Sequence, residues 1–183
     1  MTPRHLLVAL LAVLTVGLTG CWTGDQHQIS SNPAGTNEEA GDLLLLGVRV
    51  AGPAAPAFPE GADAPVWLSI VNEGTAVDVL RSVSSPVAGE VEIRWDRACD
   101  GTAEVVDELP IRPAGTDRPP AGDPSPAAAP YDAYHLRLVD VTDEVRAGTS
   151  IAMTFTFARA GEHTLQVPVR PQGAQVDPGS VCV

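Results

Sequence analysis

Residues 151–157 read IAMTFTF, with Ile151, Met153, Phe155 and Phe157 separated by the smaller Ala152, Thr154 and Thr156. A period of two sends successive side chains to opposite faces of an extended chain, so this stretch predicts a strand with one buried face. On its C-terminal side, Ala160-Gly161-Glu162 predicts a turn into a second strand carrying Leu165, Val167 and Val169. Toward the N-terminus the same alternation recurs. Tyr134, Leu136 and Leu138 alternate with His135, Arg137 and Val139; Val91, Ile93 and Trp95 alternate with Glu90, Glu92 and Arg94. Val66, Leu68 and Ile70 alternate with Trp67, Ser69 and Val71, and Asn72-Glu73-Gly74 then turns the chain into a strand over 77–83. Residues 43–50 (LLLLGVRV) are nearly continuous apolar sequence, and no stretch beyond them has a helical period. Short strands divided by turn residues predict an all-β fold, a β-sandwich of immunoglobulin-like type.

The N-terminus is of another kind. Arg4 and His5 precede an uncharged apolar run over 6–18 (LLVALLAVLTVGL), closed by Leu18-Thr19-Gly20-Cys21. At 1.5 Å per residue, a helix over that run spans about 20 Å, short of the roughly 30 Å hydrocarbon core of a bilayer. It therefore predicts a signal peptide over 1–20 and not a permanent span. Leu-Thr-Gly-Cys resembles the bacterial lipobox, which implies that Cys21 carries a diacylglyceryl group. At about 0.8 kcal/mol per buried methylene, two or three acyl chains hold a protein stably at a membrane surface. Residues 21–42 then comprise the lipidated cysteine and a polar segment that predicts a flexible tether, His27 within it being solvated. The β-sandwich follows over 43–170, interrupted by a loop over 113–130 with six prolines, and residues 171–183 form a tail containing Cys182.

Charge narrows the function. The 183 residues carry a formal net charge of −12, from 23 acidic side chains against 11 basic ones, all arginine. Loss of Arg4 with the signal peptide makes the mature chain one unit more negative still. That balance excludes nucleic acid as a partner and opposes electrostatic docking on anionic lipid. Cys99 and Cys182 are the two cysteines beyond Cys21, and in an oxidising compartment they predict a disulfide tying the tail to the middle of the domain. Gly-x-Ser-x-Gly, a phosphate loop, His-Glu-x-x-His and zinc-type cysteine spacing are all missing from the sequence, and the acidic residues are scattered, so no enzyme is expected. Asp140, Asp143 and Glu144 predict a turn after a strand.

Four segments in order, 66–74 (VWLSIVNEG), 80–92 (LRSVSSPVAGEVE), 134–138 (YHLRL) and 154–169 (TFTFARAGEHTLQVPV), together resemble the PCu(A)C family of exported copper chaperones. The resemblance implies a cupredoxin-like sandwich and a Cu(I) site made of a histidine, a methionine about ten residues on, and a His-x-Met pair. Soft thioether sulfur with imidazole suits Cu(I), and residues two apart on a strand point the same way. In this sequence the first histidine falls on Arg94, the methionine near Val105, and the pair on His135-Leu136-Arg137; only His135 survives. Arginine stays protonated and offers only donors, so it cannot ligate a metal. Met153 alternates in phase with Phe155 and Phe157, which places it in the core. Rescue by His163 or His27 has no support in the spacing.

The expectation is therefore a membrane-anchored, extracytoplasmic lipoprotein whose copper-chaperone-like domain has lost most of its ligands. It acts as a binding or assembly module, as a monomer, with an envelope protein as partner. The alternatives are a copper carrier with atypical ligands, its metal on His135, and a structural envelope spacer. Arg94, His135 and Arg137 are the candidate degenerate metal or anion site. An anionic group on these residues competes with their pairing to Glu90, Glu92 or Asp96, and no bound cofactor is expected.

Overall fold

The computed structural model describes residues 35–97, 102–114 and 134–171. These described residues form twelve strands: β1 (Thr36–Ala40), β2 (Leu43–Val50), β3 (Ala57–Phe58), β4 (Ala64–Asn72), β5 (Asp78–Ser84), β6 (Ala88–Trp95), β7 (Glu104–Val106), β8 (Leu109–Ile111), β9 (Tyr134–Val141), β10 (Val145–Arg146), β11 (Ser150–Phe157) and β12 (Glu162–Pro168). Every strand pairing within the sheets is antiparallel. One sheet has the order β1-β2-β4-β9-β6-β7, the facing sheet β12-β11-β5-β8, and a two-stranded ribbon joins β10 to β3. The all-β sandwich read from the alternation is the observed architecture.

The inward faces are those the period of two selects. Val66, Leu68 and Ile70 of β4, Leu136 and Leu138 of β9, and Ile151, Met153, Phe155 and Phe157 of β11 are all buried, with Phe155 and Met153 fully so. Strand β2 keeps its core contacts through a change of phase: Leu43 and Leu45 face inward, as do Val48 and Val50, and the register with β4 shifts between Leu46 and Arg49. An extra residue in one strand is a β-bulge, and it here turns Arg49 outward. Gly47 within the shift has φ +60°, in the left-handed region glycine enters without strain. Its N–H donates to Asn37 Oδ1 at 2.7 Å.

The first strand lies inside the stretch expected to be tether. Only Ala40 of β1 is buried, while Asn37, Glu38 and Glu39 are exposed, so the segment carries almost no apolar signal. Charge on an edge strand discourages pairing with another chain. The Thr36 hydroxyl donates to the Gln166 carbonyl at 2.8 Å, tying β1 across to β12 of the other sheet. At the far edges β7 and β8 have three residues each.

Polar side chains close the ends of the sandwich. Asp78, 5% exposed, accepts three backbone N–H bonds: Val79 at 2.7 Å and Arg159 at 2.9 Å on Oδ1, Ala160 at 2.9 Å on Oδ2. Buried Asn72 donates to the carbonyls of Ala76 and Ile111 and accepts from the N–H of Gly74. His163 Nε2 lies 3.1 Å from the Ala160 carbonyl. Glu144 pairs with Arg146 at 2.6 Å, and Asp140 turns the chain with φ 51°.

The expected Cys99–Cys182 disulfide is corrected: no disulfide occurs among the described residues, and Cys21, Cys99 and Cys182 all lie outside them. The sheets meet without it, through the core above and a parallel bridge from Val50 to Val169. The signal segment, His27, residues 115–130 and the tail beyond 171 also lie outside the described residues.

Two substitutions test this account. Phe155→Ala lowers the unfolding free energy by about 3–5 kcal/mol in a urea titration, from lost transfer energy and the cavity left behind. Asp78→Ala lowers it by about 2–3 kcal/mol, because three N–H groups lose a charged acceptor at once.

Candidate functional site

Strand β9 lies between β4 and β6 and fixes the lateral order of the outer face. It opposes β4 over Ala64, Pro65 and Val66, facing Leu138, Arg137 and Leu136 in turn. It opposes β6 along its full length, with Arg94 across from His135 and Glu92 across from Arg137. Beyond Val66 the ladder to β4 stops, and the Tyr134 hydroxyl oxygen accepts the Ile70 N–H at 2.6 Å in its place.

This register builds two rows of outward side chains. In one, Arg49 of β2 opposes Trp67 of β4, the Trp67 and His135 rings lie 5.0 Å apart at 41°, His135 opposes Arg94, and Arg94 opposes Val105 of β7. In the next row, Glu92 opposes Arg137 and Arg137 opposes Pro65. The candidate residues Arg94, His135 and Arg137 therefore sit together on one face, and Val105 adjoins them. Met153 is on the opposite, core side with no exposed surface.

The arginines are held by acceptors. Arg94 Nη1 donates to Glu92 Oε2 at 3.0 Å and Nη2 to the Ala103 carbonyl at 2.9 Å. Arg137 Nη2 donates to Asp63 Oδ2, and its Nε lies 3.8 Å from Glu92 Oε2. That Nε is shielded from solvent and makes no hydrogen bond. Glu92 is thus shared between two guanidinium groups. With side chains between 19% and 40% exposed, these pairs set orientation more than stability. Among the described residues no three His, Cys, Asp or Glu side chains converge to hold a metal ion.

Two members of the face, Trp67 and Arg49, are missing from the sequence-derived set. Alternation already turned Trp67 outward. What it does not supply is the register that brings Trp67 beside His135, nor the bulge that swings Arg49 into line.

The profile of the LpqE-like lipoprotein family matches residues 48–169. The chain belongs to that family. No curated protein matches it. Among solved structures, the copper-bound PCuAC domain from PmoF2 is 21% identical with a TM-score of 0.53, over 74% of this chain and 98% of that one. The apo PCuAC domain from PmoF1 is 19% identical with a TM-score of 0.54, over 74% and 99%. The apo PmoF2 PCuAC domain is 21% identical with a TM-score of 0.56, over 76% and 98%. The LpqE-like chain thus has a PCu(A)C-like fold without a metal-binding cluster among its described residues. As a member of a lipoprotein family it is membrane-anchored and extracytoplasmic. No described helix is long and apolar enough to cross a membrane.

If Glu92 acts as a brace, Glu92→Gln changes unfolding free energy by less than about 1 kcal/mol, as expected for half-exposed ion pairs. The Arg94 side-chain NMR resonances lose their dispersion in the same variant. A loss above 2 kcal/mol would mark the pair as a buried structural element instead.

Proposed function

We propose that the domain is a non-catalytic binding module, held at the outer side of the cell membrane by lipidated Cys21, which acts as a monomer on another envelope protein. One observation carries this reading. The positions that correspond by resemblance to a Cu(I) ligand set are adjacent in register, yet they present Arg94, Val105, His135 and Arg137. Two are cations neutralised by Glu92 and Asp63, and one is aliphatic. A single imidazole between two guanidinium groups does not make a cuprous site, because neither neighbour can donate an electron pair. The face retains shape, order and charge, which are the attributes of a recognition surface.

The competing role is that of a copper carrier, favoured by the likeness to a copper-bound PCuAC domain. Titrating the detergent-solubilised protein with Cu(I) against a competing chelator separates the two. The expected result is no stoichiometric binding; tight binding abolished by His135→Ala would establish the carrier. Conversely, Arg94→His with Val105→Met and Arg137→Met is expected to gain Cu(I) binding, since the register already places those positions together. For the anchor, Cys21→Ser is expected to shift the protein from the membrane to the soluble fraction; retention on the membrane would exclude Cys21 as the lipid acceptor.

A further inference from the structure

We infer that the open edge of β6 over residues 89–92 is a docking site for an extended segment of a partner protein in which lysine or arginine alternates with apolar residues. The inference rests on the binding-module reading above and adds where the partner docks and what its docking segment is made of.

The backbone supplies the first argument. Strand β6 is paired with β9 from Ala88 to Trp95, yet β7 covers its other edge only at Ile93, Arg94 and Trp95. The Val87 carbonyl accepts the Thr142 N–H that follows β9. Along an alternating backbone, the main-chain groups of 87, 89, 91, 93 and 95 therefore face β9, and those of 88, 90, 92 and 94 face away from it. The N–H and carbonyl of Glu90 and the N–H of Glu92 thus point out of the edge, and no strand among the described residues pairs with them. Gly89 and Glu90 are exposed. A row of unpaired main-chain groups is a template for an added strand.

The template is short and closed at both ends. Beyond Val106 the chain leaves this sheet, and Leu109 begins β8 in the facing one. At the other end the Ala88 N–H donates to the Ser85 carbonyl at 3.4 Å, closing the turn from β5. Four residues at 3.3 Å each span about 13 Å, room for a short extended segment and not for a long strand.

Side chains supply the second argument. Glu90 stands on the outer face opposite Val139, and Asp107 follows directly on β7 at the end of the slot. Both are exposed, and neither enters an ion pair among the described residues. Glu92 differs, since its carboxylate is already taken by Arg94 and Arg137. On the core side of the same edge Val91 is half-buried. An incoming strand in register meets a free carboxylate on one face and a valine on the other. Directly opposed pairs favour opposite charge in the first place and a β-branched or other apolar side chain in the second. A second copy of this chain is disfavoured, because its net charge is −12 and its own edge strand β1 would bring Glu38 and Glu39 against Glu90.

The test is an NMR titration of the detergent-solubilised full-length protein with a blocked heptapeptide in which lysine alternates with valine. An analogue with glutamate for lysine, and one N-methylated on its lysine amides, are run in parallel. In the free protein the Glu90 amide is expected to exchange its hydrogen much faster than those of Val91 and Ile93, and the lysine peptide is expected to slow it. The N-methylated peptide, deprived of its main-chain bonds to the edge, is expected to bind about tenfold more weakly, and the glutamate peptide not to bind. Glu90→Gln is expected to weaken the lysine peptide about threefold. Glu90→Pro is expected to abolish binding at an unchanged melting temperature, because proline at an open edge removes no ladder bond. Glu39→Gln, at the opposite edge of the sheet, should leave binding as it was. Equal binding of the N-methylated peptide, slow exchange of the Glu90 amide in the free protein, or indifference to both Glu90 variants would overturn the proposal. Protection of Glu90 that rises with protein concentration alone would make a second copy the occupant and overturn it as well. Absence of peptide binding in a protein that also fails to bind Cu(I) would remove the slot while leaving the broader reading in place. Stoichiometric Cu(I) binding would remove that reading itself.

Discussion

The structure depends on the double pairing of β9. A strand flanked on both sides has its phase fixed twice, and a slip of one residue would carry Leu136 and Leu138 into solvent and force His135 and Arg137 into the core. Burial of those leucines therefore determines where the polar side chains of the same strand stand. Pairing with β6 sets the lateral neighbours, and the Tyr134 bond to Ile70 holds β4 close where its own ladder to β9 ends. The rings of Trp67 and His135 meet over that junction.

The fold is shared with proteins whose sequences differ widely from this one. In solved PCuAC domains the architecture is the same at about one-fifth sequence identity. That level of identity carries the sandwich and not the site. The guanidinium groups on this face meet counter-charges from β6 in Glu92 and from the approach to β4 in Asp63. With these side chains still partly exposed, the acceptors orient the guanidinium groups more than they offset a burial cost. Glu92 comes from the register position across from Arg137, while Asp63 and the Ala103 carbonyl lie just ahead of β4 and β7. The face is consequently organised on the sheet itself, which holds side chains more firmly than a loop does.

The long, half-buried strands could be read directly from the amino acids, because alternation is both cause and signal. Strands β4, β6, β9 and β11 were legible for that reason, and with them the outward direction of Arg94, His135 and Arg137. Strand β1 was not, since an edge strand buries one residue and otherwise resembles polar linker. The short strands β3, β7, β8 and β10 carry too few residues to show a period. The bulge at Gly47, the sharing of Glu92 and the contact of Trp67 with His135 are facts of register, which arises between strands and has no expression within one. Two cysteines invited a crosslink by counting alone; spacing in sequence holds no information on whether two thiols approach each other.

The acidic, bonded edge of β1 has a meaning that belongs to populations of molecules. Lipoproteins confined to a bilayer collide in two dimensions, at local densities far above those of the same number of copies free in solution. Open strand edges in such a layer would zip neighbours into ribbons. Glu38 and Glu39 at one margin, and the three-residue stubs of β7 and β8 at the other, repel or starve that contact. Lateral crowding can then raise the number of recognition faces per unit area without merging them into a film.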